Sequence, residues 1–204
     1  ALQFGATFDM LLFMRIVILR TAAEHRVAQQ ARLERDMMKS LANTDSLTAL
    51  KNRRGLNEAL VTLVPRATTE RLLAIYMLDL DGFKPVNDLY GHDVGDELLV
   101  AIAGRLTATV QSRDIVARVG GDEFVIVATE LASVATAADL GQRLLAAFQA
   151  PFRQGELDCR VGVTIGYVLV PQDGTQIADL LKAADAAMYA GKQRGKGVAV
   201  RGAL

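Results

Sequence analysis

The feature that most constrains the fold is the run Leu72–Leu80 (LLAIYMLDL), apolar almost throughout and closed by Asp79 and Asp81. A run this short and this apolar predicts a strand buried in a core rather than a surface helix. Its last residues leave carboxylates at one end of a sheet. A second place of this kind follows downstream. Two apolar runs, Ile115–Val119 and Phe124–Ala128, flank Gly120-Gly121-Asp122-Glu123 and predict a β-hairpin with the glycines and acids at its tip. The glycines can adopt positive φ and let another group approach the backbone closely. Taken alone, the tip describes either a solvated turn or a pair of carboxylates suited to a hard cation such as Mg²⁺. If the first strand pairs beside the hairpin, Asp79, Asp122 and Glu123 converge on one sheet edge. They would then raise one another's pKa. One or two Mg²⁺ (or Mn²⁺) ions would relieve that repulsion and also hold a triphosphate. Otherwise these acids cap helices and face water.

A chain of 204 residues, 51% hydrophobic, can bury a full core in one domain with a segment to spare. Lys+Arg and Asp+Glu stand equal at 23 each, which removes the electrostatic case for duplex nucleic acid as a partner. The single cysteine, Cys159, excludes an internal disulfide framework and fits a reducing compartment. With Cys159, His25 and His92 scattered along the chain, no zinc site is indicated. The run Met10–Leu19 is too short and, with Arg15, too charged for a membrane span, although it is compatible with the tail of one beginning upstream.

Between Ile16 and Ala42 there is no glycine or proline, and the composition predicts one long helix. Ala23, Val27, Met37 and Leu41 approach heptad spacing, interrupted by Gln30 and Glu34. A coiled-coil linker and a helix packed on its own domain both satisfy this pattern. Asn43-Thr44-Asp45 breaks it, so the expected division is a helical linker over residues 1–43 and a folded domain over residues 44–204. Within that domain we expect a helix over Arg53–Val64, a loop over Gly91–Gly95, and helices over Asp96–Val110, Val134–Phe148 and Ile177–Ala190. Strands are expected over Arg160–Val170 and Val198–Val200. The expected order β-α-α-β-β-α-β-α-β gives an α/β (α+β) sandwich. Its mixed, mostly antiparallel sheet is flanked by helices in a split βαβ arrangement.

Phosphate requires donors as well as cations. Gly82-Phe83-Lys84 offers free backbone N–H groups at a helix N-terminus, and Lys192 and Lys196 would add charge. Asn87 carries a donor and an acceptor, whereas ionised Asp96 only accepts, which matches the N1–H and N2–H₂ donors of guanine.

Four blocks carry a family resemblance: TDSLTALKNRR at Thr44–Arg54, DLDGFKPVNDLYGHDVGDELL at Asp79–Leu99, GGDEF at Gly120–Phe124, and ADAAMYAGKQRGKG at Ala184–Gly197. In this order across residues 44–200 they resemble the GGDEF family of diguanylate cyclases, with a nucleotidyl-cyclase-like fold. The resemblance implies condensation of two GTP into cyclic di-GMP, with release of two pyrophosphates, at a site shared by two domains in a homodimer. It implies metal ligation by Asp79, Asp122, Glu123 and the Leu80 carbonyl, with two Mg²⁺ (or Mn²⁺) per site. Asp122, Glu123 and Lys192 take the catalytic positions. Substrate contacts fall to Phe83, Lys84, Asn87, His92, Asp96, Gly120, Gly121, Lys192 and Lys196. A GTP substrate implies a cytoplasmic location, with any membrane attachment through a segment upstream.

Two departures stand out. The family's inhibitory RxxD window reads Gln111-Ser112-Arg113-Asp114, and a neutral amide cannot make the charged bidentate contact that Arg makes. Weak or absent product inhibition is therefore expected, with Arg113, Arg118 and Arg143 as candidate substitutes. Gly195-Lys196-Gly197 replaces the usual Gly-Arg-Asn, keeping charge but losing the guanidinium fork. Two alternatives to an active cyclase remain: a silent domain that senses nucleotide or binds a partner, and a cyclase joining GTP with ATP, which Asp96 disfavours.

Overall fold

The computed structural model describes Gln29 and residues 42–202. The expected helix Ile16–Ala42 and the apolar run Met10–Leu19 therefore lie outside the described residues, except for Gln29 and Ala42. Among the described residues, no helix is long and apolar enough to cross a membrane.

Helix α1 (Arg53–Leu63) starts where Asn52 accepts a hydrogen bond from the Gly55 amide, and it ends in a short 3₁₀ turn at Val64–Arg66. Strand β1 (Leu72–Asp81) is next, followed by α2 (Phe83–Tyr90), α3 (His92–Thr109), β2 (Ile115–Arg118), β3 (Glu123–Leu131) and α4 (Val134–Ala146). A small hairpin, β4 (Phe152–Gln154) and β5 (Leu157–Cys159), precedes β6 (Gly162–Val170), α5 (Ile177–Gln193) and β7 (Ala199–Arg201). The main sheet has the order β2-β3-β1-β6-β7, antiparallel except for the β6–β7 pair.

The uniformly apolar sequence of β1 reflects its central position. One face presents Leu73 and Ile75 to Leu56 and Leu60 of α1 and to Leu180 and Ala184 of α5. The other presents Ala74, Tyr76 and Leu78 to Leu98, Ile102 and Leu106 of α3 and Leu140 and Leu144 of α4. The result is the expected helix–sheet–helix sandwich. Two details differ from expectation. The β4–β5 hairpin falls where PFRQGELDCR has no sustained apolar alternation, and it forms its own two-stranded sheet. The expected loop Gly91–Gly95 shrinks to Gly91 at φ +86°, because α3 already begins at His92 and takes Gly95 into its first turns.

Helix α5 lies close on β6 because residue 166 has no side chain. A Cβ at Gly166 would sit 2.8 Å from Met188 Cα and closer still to the backbone of Ala184 and Met188. Helix backbone cannot rotate away as a side chain can. Gly166→Ala is therefore expected to cost about 3 kcal/mol, lowering the thermal midpoint by roughly 10 °C. A midpoint within a degree or two of the parent would show that the helix–sheet spacing is softer than this.

Candidate active site

Strands β1 and β3 pair antiparallel with Leu78 opposite Phe124 and Asp79 opposite Glu123. Residues directly opposed across an antiparallel pair point to the same face. This register thus brings carboxylates from two distant chain segments to one edge of the sheet. The Leu80 amide donates to the Asp122 carbonyl at 3.2 Å, extending the pairing into the tip.

The tip is held from outside. Arg118 donates through Nε and Nη2 to the Gly121 carbonyl at 3.1 and 2.9 Å, and through Nη1 to Asp45 Oδ1 at 3.1 Å. Arg53 Nη2 donates to the Val119 carbonyl at 3.0 Å. Asp45 also accepts from the Thr48 amide and hydroxyl. Burial alone would raise the Asp45 carboxyl, but the Thr48 and Arg118 contacts more than offset it, so the group titrates below its ordinary range. The opening block Thr44–Arg54 is thereby fastened to the hairpin.

The positive φ that the sequence allows at the two glycines is not used. Neither Gly120 nor Gly121 adopts a positive φ. Gly120 instead leaves space for Glu123: a Cβ there would lie 2.5 Å from Glu123 Oε2 and 3.2 Å from its Cδ. At Gly120 the close approach is thus made by the motif's own carboxylate, whereas the space around Gly121 is open.

Across the sheet, α5 carries Lys192 to Asp79, with Nζ 2.6 Å from Oδ1; the Asp79 side chain is 14% exposed. Burial raises the Asp79 carboxyl above the ordinary aspartate range. The hydrogen bond and charge of Lys192 counter it, while Asp122 and Asp81 push the same way as burial. Among the described residues, no group of three or more His, Cys, Asp or Glu side chains forms a metal cage by itself, so the expected convergence of three carboxylates does not amount to a complete ligand set. The donors still suit Mg²⁺, which is commonly bound through one or two carboxylates, with phosphate oxygens and waters completing the shell. Two acidic residues opposed in the register, one of them partly buried and paired with an ammonium, form a place where positive charge is favoured.

Asp81 closes strand β1 and also organises the neighbouring turn. Its Oδ2 accepts from Thr164 Oγ1 at 2.7 Å and from the Gly197 amide at 3.4 Å. The Gly197 amide also lies 3.2 Å from Thr164 Oγ1. This fastens the turn after α5, in which Lys196 itself adopts a left-handed φ of +63° between two positive-φ glycines. An acid two residues after Asp79 was the available signal, but its partner in β6 could not be read from spacing.

Gly82 at φ +87° starts α2, with Phe83 buried and Lys84 exposed, so their backbone amides belong to the first turn, where no intrahelical acceptor exists. Asn87 of α2 packs against Gly95 of α3, beside exposed Asp96. His92 is exposed as the first residue of α3. The Gln111–Asp114 window forms a separate turn beyond the other end of α3. Asp114 accepts from the Gln111 amide at 2.9 Å and the Thr129 amide at 3.0 Å, so both carboxylate oxygens serve the backbone. Arg113 pairs with Glu130 at 3.1 Å, and Arg118 is committed to Asp45 and Gly121. Arg143 is exposed on α4.

A family model for the diguanylate cyclase GGDEF domain matches residues 42–197. The chain belongs to the GGDEF family. It is 41% identical, over 81% of its length, to the bifunctional diguanylate cyclase/cyclic di-GMP phosphodiesterase MucR of Pseudomonas aeruginosa, covering 24% of that protein. It is 34% identical, over 82% of its length, to the cyclic di-GMP phosphodiesterase PdeR of Escherichia coli, covering 25% of it. The chain thus spans about a quarter of each of these relatives. The solved GGDEF domain of TpbB from Pseudomonas aeruginosa superposes with a TM-score of 0.75 at 37% identity, covering 79% of this chain and 95% of that one.

A carboxyl raised on folding binds more protons in the native than in the unfolded state, so stability falls as pH rises above the ordinary aspartate range. In EDTA, Asp79→Asn is expected to match the parent at acid pH and to become the more stable protein as the pH approaches neutrality. Thermal midpoints of both across that interval check the sign. A constant difference, or one that narrows with pH, contradicts it.

Proposed function

We propose that this chain is a diguanylate cyclase, condensing two GTP into cyclic di-GMP at a site shared by two copies. The observation that carries this reading is the register that opposes Asp79 and Glu123 with Lys192 drawn to Asp79. Each 3′-hydroxyl loses a proton, and its oxygen bonds to the α-phosphorus of the other GTP. Each α–β anhydride bond breaks, releasing one pyrophosphate per GTP. Because each domain binds one GTP, a two-fold homodimer supplies the facing arrangement.

Asp79, Glu123, Asp122 and the Leu80 carbonyl would hold Mg²⁺ (or Mn²⁺), two ions per site. When bound, they stabilise charge on the attacking and leaving oxygens. Asp122 assists removal of the 3′-hydroxyl proton. The first-turn amides of Phe83 and Lys84 bind phosphate oxygens with Lys192 and Lys196, and the fastening of the Lys196 turn through Asp81 and Thr164 supports that role. Asn87 and Asp96 select guanine, with His92, Gly120 and Gly121 lining the nucleotide. The substrate implies a cytoplasmic setting, and duplex nucleic acid is not a partner.

Incubation of the protein with GTP and Mg²⁺ is expected to yield cyclic di-GMP and pyrophosphate, and Glu123→Gln is expected to lower the rate by about 100-fold or more. A second reading, a silent nucleotide-binding module, draws support from relatives named as phosphodiesterases. Tight GTP binding by the parent without product would establish that reading.

Product inhibition is weak in this proposal. Gln111 is exposed and uncharged, Asp114 is occupied by backbone amides, and Arg113 is held by Glu130. Titration with cyclic di-GMP is expected to leave turnover unchanged up to roughly 1 μM, the concentration at which a ligand bound by about 8 kcal/mol would half-saturate its site. Sub-micromolar inhibition would contradict it.

A further inference from the structure

Helix α3 carries a glycine at its fourth residue, although glycine is the weakest helix former after proline. Gly95 is buried, and its φ is not in the left-handed region, so conformational freedom is not what the position requires. Space is. A Cβ at Gly95 would lie 2.9 Å from Asn87 Cγ, 3.5 Å from Asn87 Nδ2, and closest of all to Asn87 Oδ1. All three nearest atoms belong to one side-chain amide. The recess left by the missing methyl is therefore occupied first by the Asn87 carboxamide.

Asn87 Oδ1 in that recess is shielded from solvent and has no hydrogen-bond partner among the described residues. An unpartnered buried acceptor is costly, so packing against Gly95 is what holds the carboxamide in this seat. Gly104, ten-odd ångströms further along the same helix at about 1.5 Å per residue, has open space around it. The two glycines weaken α3 alike, but only one of them seats another side chain.

Resting on the assignment of Asn87 as a base contact, we propose that Gly95 is a positioning residue for guanine selection, its absent side chain forming the seat that orients the Asn87 carboxamide next to Asp96. A methyl group at position 95 expels that carboxamide. Because the clash is with the end of a side chain and not with backbone, the fold absorbs it and recognition does not.

The test uses the full chain with fluorescent GTP and ATP analogues in Mg²⁺, comparing Gly95→Ala, Gly104→Ala, Asn87→Ala and the Gly95→Ala/Asn87→Ala pair. Gly95→Ala is expected to weaken GTP binding by about tenfold with ATP binding unchanged, collapsing the selectivity ratio, while the thermal midpoint stays at or above that of the parent. Gly104→Ala should retain the parent's ratio. On the Asn87→Ala background, adding Gly95→Ala should cost nothing more, since the two act through one group. Parental selectivity in Gly95→Ala, or a full additional loss in the double variant, would overturn the inference. If Asn87→Ala itself leaves GTP binding untouched, the base-contact assignment fails and the inference falls with it. That outcome is distinct from one in which Asn87 matters and Gly95 does not.

Discussion

The site depends on the pairing register of β1 and β3. Side chains alternate along a strand, so a one-residue slip would turn either Asp79 or Glu123 to the opposite face of the sheet. The register is enforced by what lies behind it. Tyr76, Leu78, Phe124 and Ile126 are fully buried against one helical layer, and Ile75, Val125 and Val127 against the other. Because both faces are packed, a slip would force each apolar side chain into a volume shaped for another and shift the strand-end acids along the sheet. The core thereby fixes where these two acidic residues stand.

Positive charge then answers the acids from α5. Its close seat over Gly166 brings the C-terminal turns of the helix to the same sheet edge, so Lys192 reaches Asp79 and the turn beyond it reaches Asp81. The opening block supplies Arg53 and Asp45 to steady the hairpin tip through Val119 and Arg118. Three segments far apart in the chain thus converge on the strand ends, and each is held by backbone hydrogen bonds or by ion pairs of limited exposure.

Much of this was legible in the sequence. The buried strand, the hairpin and the amphipathic helices follow from apolar runs and their punctuation, and the acids at the strand ends announce themselves. What could not be read were relations that exist only after folding. Spacing gave no hint that Asp81 and Thr164 would clasp the Gly197 amide. In the sequence Gly120 and Gly95 look like turn and loop residues because glycine usually signals backbone freedom, whereas both instead vacate volume for a carboxylate or a carboxamide elsewhere. Arg118, a candidate substitute in the inhibitory window by sequence, donates instead to the hairpin's own Gly121 carbonyl. The β4–β5 hairpin escaped notice because strands of three residues carry too little alternation to register.

The proposed reaction requires Asp79 and Glu123 to share a single cation-binding locus. Its most direct test is titration of Mn²⁺, followed by electron paramagnetic resonance, in the presence of a non-hydrolysable GTP analogue. The parent would be compared with Asp79→Asn, Glu123→Gln and the double variant. If both side chains serve the same locus, each single change removes most of the tight binding and the double change removes little beyond either. Independent, additive losses, or tight binding that survives both substitutions, would contradict it.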